Sequence, residues 1–141
     1  MYLIDTNVIS ELRKVLIGKA NAQVVNWVDS VEPTELFVSV VTMHELKIGI
    51  LLAERRDAAK ASVLNTWYEQ VVQTFKGRIL VVDMKVIAYS AQLHVPNPKP
   101  FSDCLIAATA LAHNMTVVTR NVEDFNNTGV RLINPWEVND G

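Results

Sequence analysis

The sequence predicts an α/β protein in which a parallel β-sheet lies between two layers of helices. Short apolar runs rich in Val, Ile and Leu alternate along the chain with longer stretches whose apolar residues recur every three or four positions. Small polar residues and glycine separate the two kinds of segment. Strands that alternate with helices imply a parallel sheet covered on both faces, because each right-handed crossover places a helix against one face. The predicted class is therefore a three-layer α/β/α sandwich.

The first strand and the first helix are predicted from the N-terminal residues. Residues 2–4 are apolar and suit a buried parallel strand, whereas Asp5, Thr6 and Asn7 can start a helix. That helix continues through Leu12, so Asp5 would lie at the carboxyl end of the strand. In open α/β sheets the ligand crevice lies outside this edge, and a carboxylate there can hold a metal ion or polarise a substrate.

The remaining elements follow the same alternation. A helical hairpin is predicted from Thr42 to Phe75, and Gly77 suits the end of its second helix. Three prolines between Val95 and Pro100 exclude a helix there and predict a stiff connector. The predicted strands are residues 2–4, 36–40, 79–82, 116–119 and 130–133, and the predicted helices cover residues 6–12, 24–31, 42–51, 61–75, 84–94 and 104–113, with a short helix after Arg120.

The composition is that of an ordinary globular protein. Half of the 141 residues are hydrophobic and a fifth are charged, so one domain spanning residues 1–141 is expected. A single cysteine excludes an internal disulfide, and we find neither a signal peptide nor an apolar run of about 18 residues. We therefore expect a soluble cytoplasmic protein with no membrane contact. The net charge of −2 argues against a protein that coats nucleic acid nonspecifically, but it is compatible with an enzyme that acts on nucleic acid.

Acidic and amide side chains are predicted to meet along the carboxyl edge of the sheet. They are Asp5 after the first strand, Glu45 one turn beyond the second, Asp103 at a helix start, and Asn121 and Asp124 after the fourth strand. Clustered carboxylates repel one another unless a cation compensates their charge. Mg²⁺ and Mn²⁺ prefer oxygen ligands, and such an ion can activate a water and neutralise charge on a phosphate. The pattern therefore favours a Mg²⁺ or Mn²⁺ site for phosphoryl chemistry.

Each of these residues also suits a structural role at a helix start. Asp5 and Asn121 are good N-caps, Glu45 fits the last position of a capping box that begins at Thr42, and an acid in the first turn complements the helix dipole. Asp83 also follows a predicted strand and precedes a helix, and we interpret it as a cap. The hypothesis of a metal site therefore rests on four positions that coincide at one edge.

Several blocks of the sequence carry a family resemblance. They are Leu3–Ile9, Ser39–Leu46, Asp103–Ala110, Val117–Phe125 and Asn134–Trp136. In these blocks, which extend over nearly the whole chain, the protein resembles the PIN-domain toxins of bacterial VapBC toxin–antitoxin modules. The resemblance implies a five-stranded parallel sheet of order 3-2-1-4-5. It also implies a Mg²⁺- or Mn²⁺-dependent endoribonuclease that forms a homodimer and is neutralised by a cognate VapB-type antitoxin.

The resemblance assigns roles to the acids at the predicted edge. Asp5, Glu45 and Asp103 match the acids that ligate metal directly or through water. The fourth acidic position is occupied by Asn121, whose amide oxygen accepts a hydrogen bond but carries no charge. The second metal ion is therefore left open. Either Asn121 holds a metal-bound water, or Asp124 substitutes at longer range.

Two further residues are expected to support the site. Thr6 matches a hydroxyl position beside the first acid of the family pattern. Arg120 adjoins Asn121 and is the best-placed candidate for a contact to an RNA phosphate. Thr6 adjoins Asp5, and Arg120 adjoins Asn121, so both lie next to residues of the predicted edge.

The preferred function is hydrolysis of RNA to 5′-phosphate and 3′-hydroxyl ends. A Mg²⁺-dependent phosphatase or a DNA nuclease would use the same acids, although the chain lacks the length for a DNA-clamping arch. A third hypothesis is a non-catalytic RNA- or protein-binding module in which the acids act only as caps. The antitoxin is expected to bury the exposed apolar face of the helical hairpin.

Overall fold

A computed structural model describes residues 1–137 of the protein and contains a parallel five-stranded sheet with helices on both faces. The strands are β1 (Tyr2–Ile4), β2 (Leu36–Ser39), β3 (Ile79–Leu80), β4 (Thr116–Val118) and β5 (Leu132–Ile133). The helices are α1 (Thr6–Arg13), α2 (Ala22–Asp29), α3 (Val40–Glu54), α4 (Ala58–Thr74), α5 (Met84–Leu93) and α6 (Phe101–Ala112). The strand order is β3-β2-β1-β4-β5. The predicted class and strand order are therefore confirmed.

Two apolar cores lie on opposite faces of the sheet because successive strand residues point to opposite faces. Ile4 belongs to the core that contains Val24 of α2 and Val71 of α4. Leu3 belongs to the other core, with Ile106 of α6. Ile4 and Leu3 have no solvent exposure, and full burial of such a side chain contributes about 1.5–3 kcal/mol. The central strand is therefore held from both sides, which fixes the position of the residue that follows it.

The parallel arrangement brings several helix starts to one edge of the sheet. Helices α1, α3 and α5 follow β1, β2 and β3, so their first turns lie at the carboxyl edge. Helix α6 precedes β4 and returns to the amino edge, so it also begins at the carboxyl edge. Asp83 accepts a hydrogen bond of 3.0 Å from the backbone N–H of Val86. The interpretation of Asp83 as the N-cap of α5 is therefore confirmed.

The predicted helices begin two or three residues too late at α2, α3, α4 and α6, and the starts of α3 and α6 affect the acids. Helix α3 begins at Val40 rather than Thr42, because the hydroxyl of Ser39 caps it by accepting a hydrogen bond of 3.0 Å from the N–H of Val41. The capping-box interpretation of Glu45 is therefore wrong, since Glu45 lies inside the helix. Helix α6 begins at Phe101 rather than Cys104, which places an acid in its first turn. The outer strands β3 and β5 are shorter than predicted because each pairs on one side only.

The helical hairpin and the stiff connector are both present. Helices α3 and α4 form the hairpin, and residues 94–100 join α5 to α6 without a helix. The Nζ of Lys99 donates a hydrogen bond of 2.6 Å to the carbonyl of Leu93, which ties the connector to the end of α5. Among the helices of the described region, none combines the length and the apolar character needed to cross a membrane.

Candidate active site

Asp5 lies at the carboxyl end of β1, as predicted, and its carboxylate is fixed by three hydrogen bonds. Its Oδ1 accepts from the backbone N–H of Thr6 at 2.8 Å, so Asp5 also caps α1. Its Oδ2 accepts from the hydroxyl of Thr119 at 2.8 Å and from the side-chain amide of Asn7 at 3.2 Å. Asp5 is only 5% exposed. Because a carboxylate has about four lone-pair sites, three hydrogen bonds orient this group and leave room for a further partner.

Glu45 lies in the second turn of α3 and is linked to the start of α1. The hydroxyl of Thr6 donates a hydrogen bond of 2.9 Å to Oε1 of Glu45. The same hydroxyl lies 3.4 Å from the hydroxyl of Thr42, which is completely buried. Thr6 therefore connects two helices that follow neighbouring strands, and it holds the Glu45 carboxylate on the side of Asp5.

Asp103 is surrounded by negative charge. Burial is the main cause that raises its pKa to about 6, and the charges of Asp5, Asp124 and Glu45 raise it further. Burial also raises the pKa of Asp5, although its hydrogen bonds oppose the effect and the charge of Asp124 adds to it. The charges of three other carboxylates therefore reach Asp103 at the carboxyl edge.

The loop after β4 carries Asn121 and Asp124, the two residues between which the sequence left the fourth position open. Asn121 precedes a 3₁₀ turn formed by Val122–Phe125, but its side chain makes no capping hydrogen bond, so its interpretation as an N-cap is wrong. Its backbone N–H donates to the hydroxyl of Thr119 at 3.0 Å. Asp124 lies in the 3₁₀ turn, and its charge acts on Asp5 and Asp103. The fourth negative charge near the acids is therefore that of Asp124.

Arg120 is held at the rim of the site. Its backbone N–H donates a hydrogen bond of 3.1 Å to Oδ1 of Asn7. Its guanidinium lies over the ring of Trp136, with 5.1 Å between the guanidinium carbon and the ring centroid. Arg120 is exposed, so its guanidinium is oriented by an aromatic ring and remains accessible to a ligand.

Sequence reasoning missed the role of Thr119. It ends the predicted fourth strand, but in the structure it follows β4 and is completely buried while it donates to Asp5. The register offers a signal, since β1 and β4 pair Ile4 with Val118. The residues that follow this pair are Asp5 and Thr119. When an acid follows one buried strand and a hydroxyl residue follows the neighbouring strand at the same register, the hydroxyl can be expected to position the acid.

The donor atoms fit a hydrated hard cation. They are carboxylate and hydroxyl oxygens, which suit Mg²⁺ or Mn²⁺. Within residues 1–137, no three Asp, Glu, His or Cys side chains lie close enough to enclose a metal ion by themselves. Mg²⁺ usually keeps several waters and uses only one or two carboxylates. The spacing of the acids therefore suits Mg²⁺ better than an ion that needs four protein ligands. A divalent cation would also offset the repulsion that raises the pKa of Asp103.

Fold and site together define the class: an α/β protein whose carboxyl edge carries an acidic site suited to hard cations. The PIN domain family profile matches residues 2–130. Toxin FitB from Neisseria gonorrhoeae is 38% identical, with 96% of this chain and 99% of that protein aligned. VapC ribonuclease Y4jK from Sinorhizobium fredii is 34% identical over 97% of this chain and 99% of its own length. The solved structure of FitAB bound to a DNA fragment superimposes with a TM-score of 0.87 at 36% identity, covering 99% of this chain and 98% of that chain. The protein therefore belongs to the PIN-domain family.

Proposed function

We propose that the protein is a divalent-metal-dependent endoribonuclease and the toxin of a toxin–antitoxin pair. The observation that carries the proposal is the meeting of acids at the carboxyl edge of the sheet. Asp5 follows β1, the hydroxyl of Thr6 links Glu45 to the start of α1, and Asp103 lies in the first turn of α6. Such a cluster is costly without a cation, and one relative is named a VapC ribonuclease while another is named a toxin. We place the activity in the cytoplasm, where RNA is available.

In this proposal Asp5, Glu45 and Asp103 hold Mg²⁺ or Mn²⁺, directly or through water. Such an ion, when bound, activates a water and neutralises charge that develops on the phosphate. Asp124 supplies the fourth negative charge, and Asn121 accepts a hydrogen bond from a water near it.

The other side chains position the acids and the substrate. Thr119 and Asn7 orient the carboxylate of Asp5, and Thr6 orients that of Glu45. Arg120 contacts a phosphate of the RNA, because it is exposed, follows the Thr119 that binds Asp5, and has its guanidinium held against Trp136. Water, and not the RNA 2′-hydroxyl, attacks the phosphorus. The 3′-oxygen leaves, so the products carry 5′-phosphate and 3′-hydroxyl ends.

Incubation of purified protein with a mixed cellular RNA pool in Mg²⁺ or Mn²⁺ is expected to give discrete cleavage products. The ends are mapped by ligation that requires a 5′-phosphate, and a parallel sample contains EDTA. Cyclic 2′,3′-phosphate ends, or cleavage that continues in EDTA, would contradict the proposal. Single-stranded DNA of the same sequences tests the alternative of a DNA nuclease, and release of inorganic phosphate tests the alternative of a phosphatase.

An apolar groove is our proposed docking site for the antitoxin. A cavity of about 460 Å³ lies between α1, α2 and α4 and is lined by apolar side chains that include Ile9, Leu12 and Phe75. A second cavity of about 430 Å³ shares Leu12 and Trp67 with it and extends to Leu16. The groove is therefore lined by α4, the second helix of the hairpin, and the outer face of the hairpin is not part of it.

The homodimer stays a prediction. The exposed apolar residues of α3 offer a surface for it.

Replacing Leu16 by aspartate is expected to weaken binding of the cognate antitoxin at least about tenfold, because a charge would enter an apolar contact. Leu16 is 81% exposed, so the change leaves the core of the toxin intact. Isothermal titration calorimetry measures the affinity. The matched control is Val63→Asp, since Val63 is 70% exposed on the outside of α4 and does not line the groove. Loss of affinity in the control alone would instead place the antitoxin on the outer face of the hairpin.

A further inference from the structure

An exposed aromatic residue begins the helix that carries Asp103. Phe101 is the first residue of α6 and is 72% exposed. Helix α6 begins at the carboxyl edge, and Asp103 follows two residues later in the same turn. Side chains two positions apart on a helix point to different sides. The ring of Phe101 therefore flanks the acid of the same turn and does not face it.

One face of this ring is supported and the other is left open. The ring of His94 stacks against Phe101 with 6.4 Å between the ring centroids and an angle of 27° between the planes. His94 is itself anchored, because its Nδ1 accepts a hydrogen bond of 3.2 Å from the backbone N–H of Lys99. Since Phe101 is mostly exposed, a planar ligand can stack on the side away from His94.

We propose that Phe101 stacks a base of single-stranded RNA next to the phosphate that is cleaved. The position of this phosphate rests on the proposed ribonuclease function. Base–aromatic stacking is a common way to bind single strands, because every base offers a π-face and the contact needs no particular sequence. A ring already held by His94 loses little conformational freedom on binding, which favours stacking.

The chain next to Phe101 is mainly polar, which favours a nucleic acid over an apolar protein surface. Pro100 precedes Phe101, but Lys99, Ser102 and Asp103 are polar or charged. Protein-docking surfaces are usually contiguous apolar patches. A single aromatic face next to charged groups is instead typical of sites that stack a base while a neighbouring group contacts a phosphate.

Arg120 and Phe101 belong to elements that pack on different faces of the sheet. Helix α6, which begins with Phe101, packs through Ile106 in the core on one face. Trp136, which supports the guanidinium of Arg120, packs against the core on the opposite face. A strand that stacks a base on Phe101 must unstack that base from its neighbours, which favours single-stranded RNA over a duplex.

The test measures RNA binding separately from cleavage. A single-stranded oligoribonucleotide that contains 2-aminopurine is titrated with protein in Ca²⁺, and its anisotropy and fluorescence quenching are followed. Phe101→Ala is expected to raise the dissociation constant about tenfold or more and to abolish the quenching. Phe101→Trp is expected to restore both signals, whereas Phe101→Leu, which is apolar but has no π-face, is not. Met84→Ala is the matched control, because Met84 is the 80% exposed first residue of α5.

Three other outcomes overturn the inference, and a fourth separates it from the ribonuclease function. Unchanged affinity and quenching in Phe101→Ala would show that no base stacks there. Full binding by Phe101→Leu, together with an altered sedimentation coefficient in Phe101→Ala, would identify Phe101 as a protein contact. Absence of RNA binding by the wild type would also show that no base stacks on Phe101. Quenching that depends on Phe101 in a protein that cleaves no RNA would support base stacking and contradict the proposed ribonuclease activity.

Discussion

Replacing Asp5 by asparagine is expected to lower kcat/KM for RNA cleavage by more than about a hundredfold while the fold is retained. Loss of a group that only orients a metal ligand typically costs about 10–100-fold, and loss of a ligand's charge should cost more. Asparagine has nearly the same shape, and its amide oxygen can still accept the backbone N–H of Thr6. The hydroxyl of Thr119 and the side-chain amide of Asn7 must reorient around the new amide nitrogen, because both donate to the Oδ2 that it replaces. Removal of the buried charge, which is unfavourable, offsets the lost hydrogen bonds, so the protein should stay folded.

Two variants make this result specific. Asp83→Asn is the matched control, because Asp83 also follows a strand and caps a helix, and it should cleave RNA as the wild type does. Thr119→Val keeps the shape but removes the hydrogen bond to Asp5, and it should lose about 10–100-fold in kcat/KM. Single-turnover cleavage of an end-labelled RNA and circular dichroism melting provide the rate and the stability. Wild-type activity in Asp5→Asn would show that Asp5 acts only as a helix cap. An equal loss of activity in Asp83→Asn would show that the effect is not specific to the proposed site.

Local signals explain why the sequence predicts the sheet and the acids. Asp5 directly follows a short apolar run and begins a helix, so its place at a strand end depends only on neighbouring residues. The sequence places the start of α3 too late, because Val40 and Val41 continue the β-branched pattern of the preceding strand. The cap at Ser39 and the packing of Val41 in the core override that preference. Glu45 therefore lies deeper in the helix than its capping-box spacing suggests.

Contacts between distant segments explain what the sequence could not give. The hydrogen bond from Thr119 to Asp5 joins residues 114 positions apart, and it depends on the pairing of β1 with β4. The choice between Asn121 and Asp124 depends on how the 3₁₀ turn aims each side chain. The exposure of Phe101 depends on where α6 begins, and the predicted start at Cys104 would leave Phe101 in the connector.

Without metal, the protein is expected to become more stable as the pH falls from 7 towards 5. The pKa of Asp103 is about 6 in the folded protein, against 3.8 as the ordinary value. Between these two values the folded state binds more protons than the unfolded state, so the free energy of unfolding falls as the pH rises. Asp5, whose pKa is also raised, contributes in the same direction. Thermal melts in EDTA across this range measure the effect, and Asp103→Asn should show a weaker dependence because it lacks the main titrating group.

A divalent cation is expected to reverse this dependence. An ion at a hundred times its dissociation constant stabilises the folded state by about 2.7 kcal/mol, provided that it binds only that state. For a protein of this size the increase in Tm is roughly 10 °C. The gain should be largest above pH 7 and should shrink as the pH falls through about 6, since protonation of Asp103 then competes with the ion. Asp83→Asn should keep the whole gain and Asp103→Asn should lose most of it. A Tm that Mg²⁺ and Mn²⁺ leave unchanged at pH 7.5 would show that the acids repel one another without serving as a metal site.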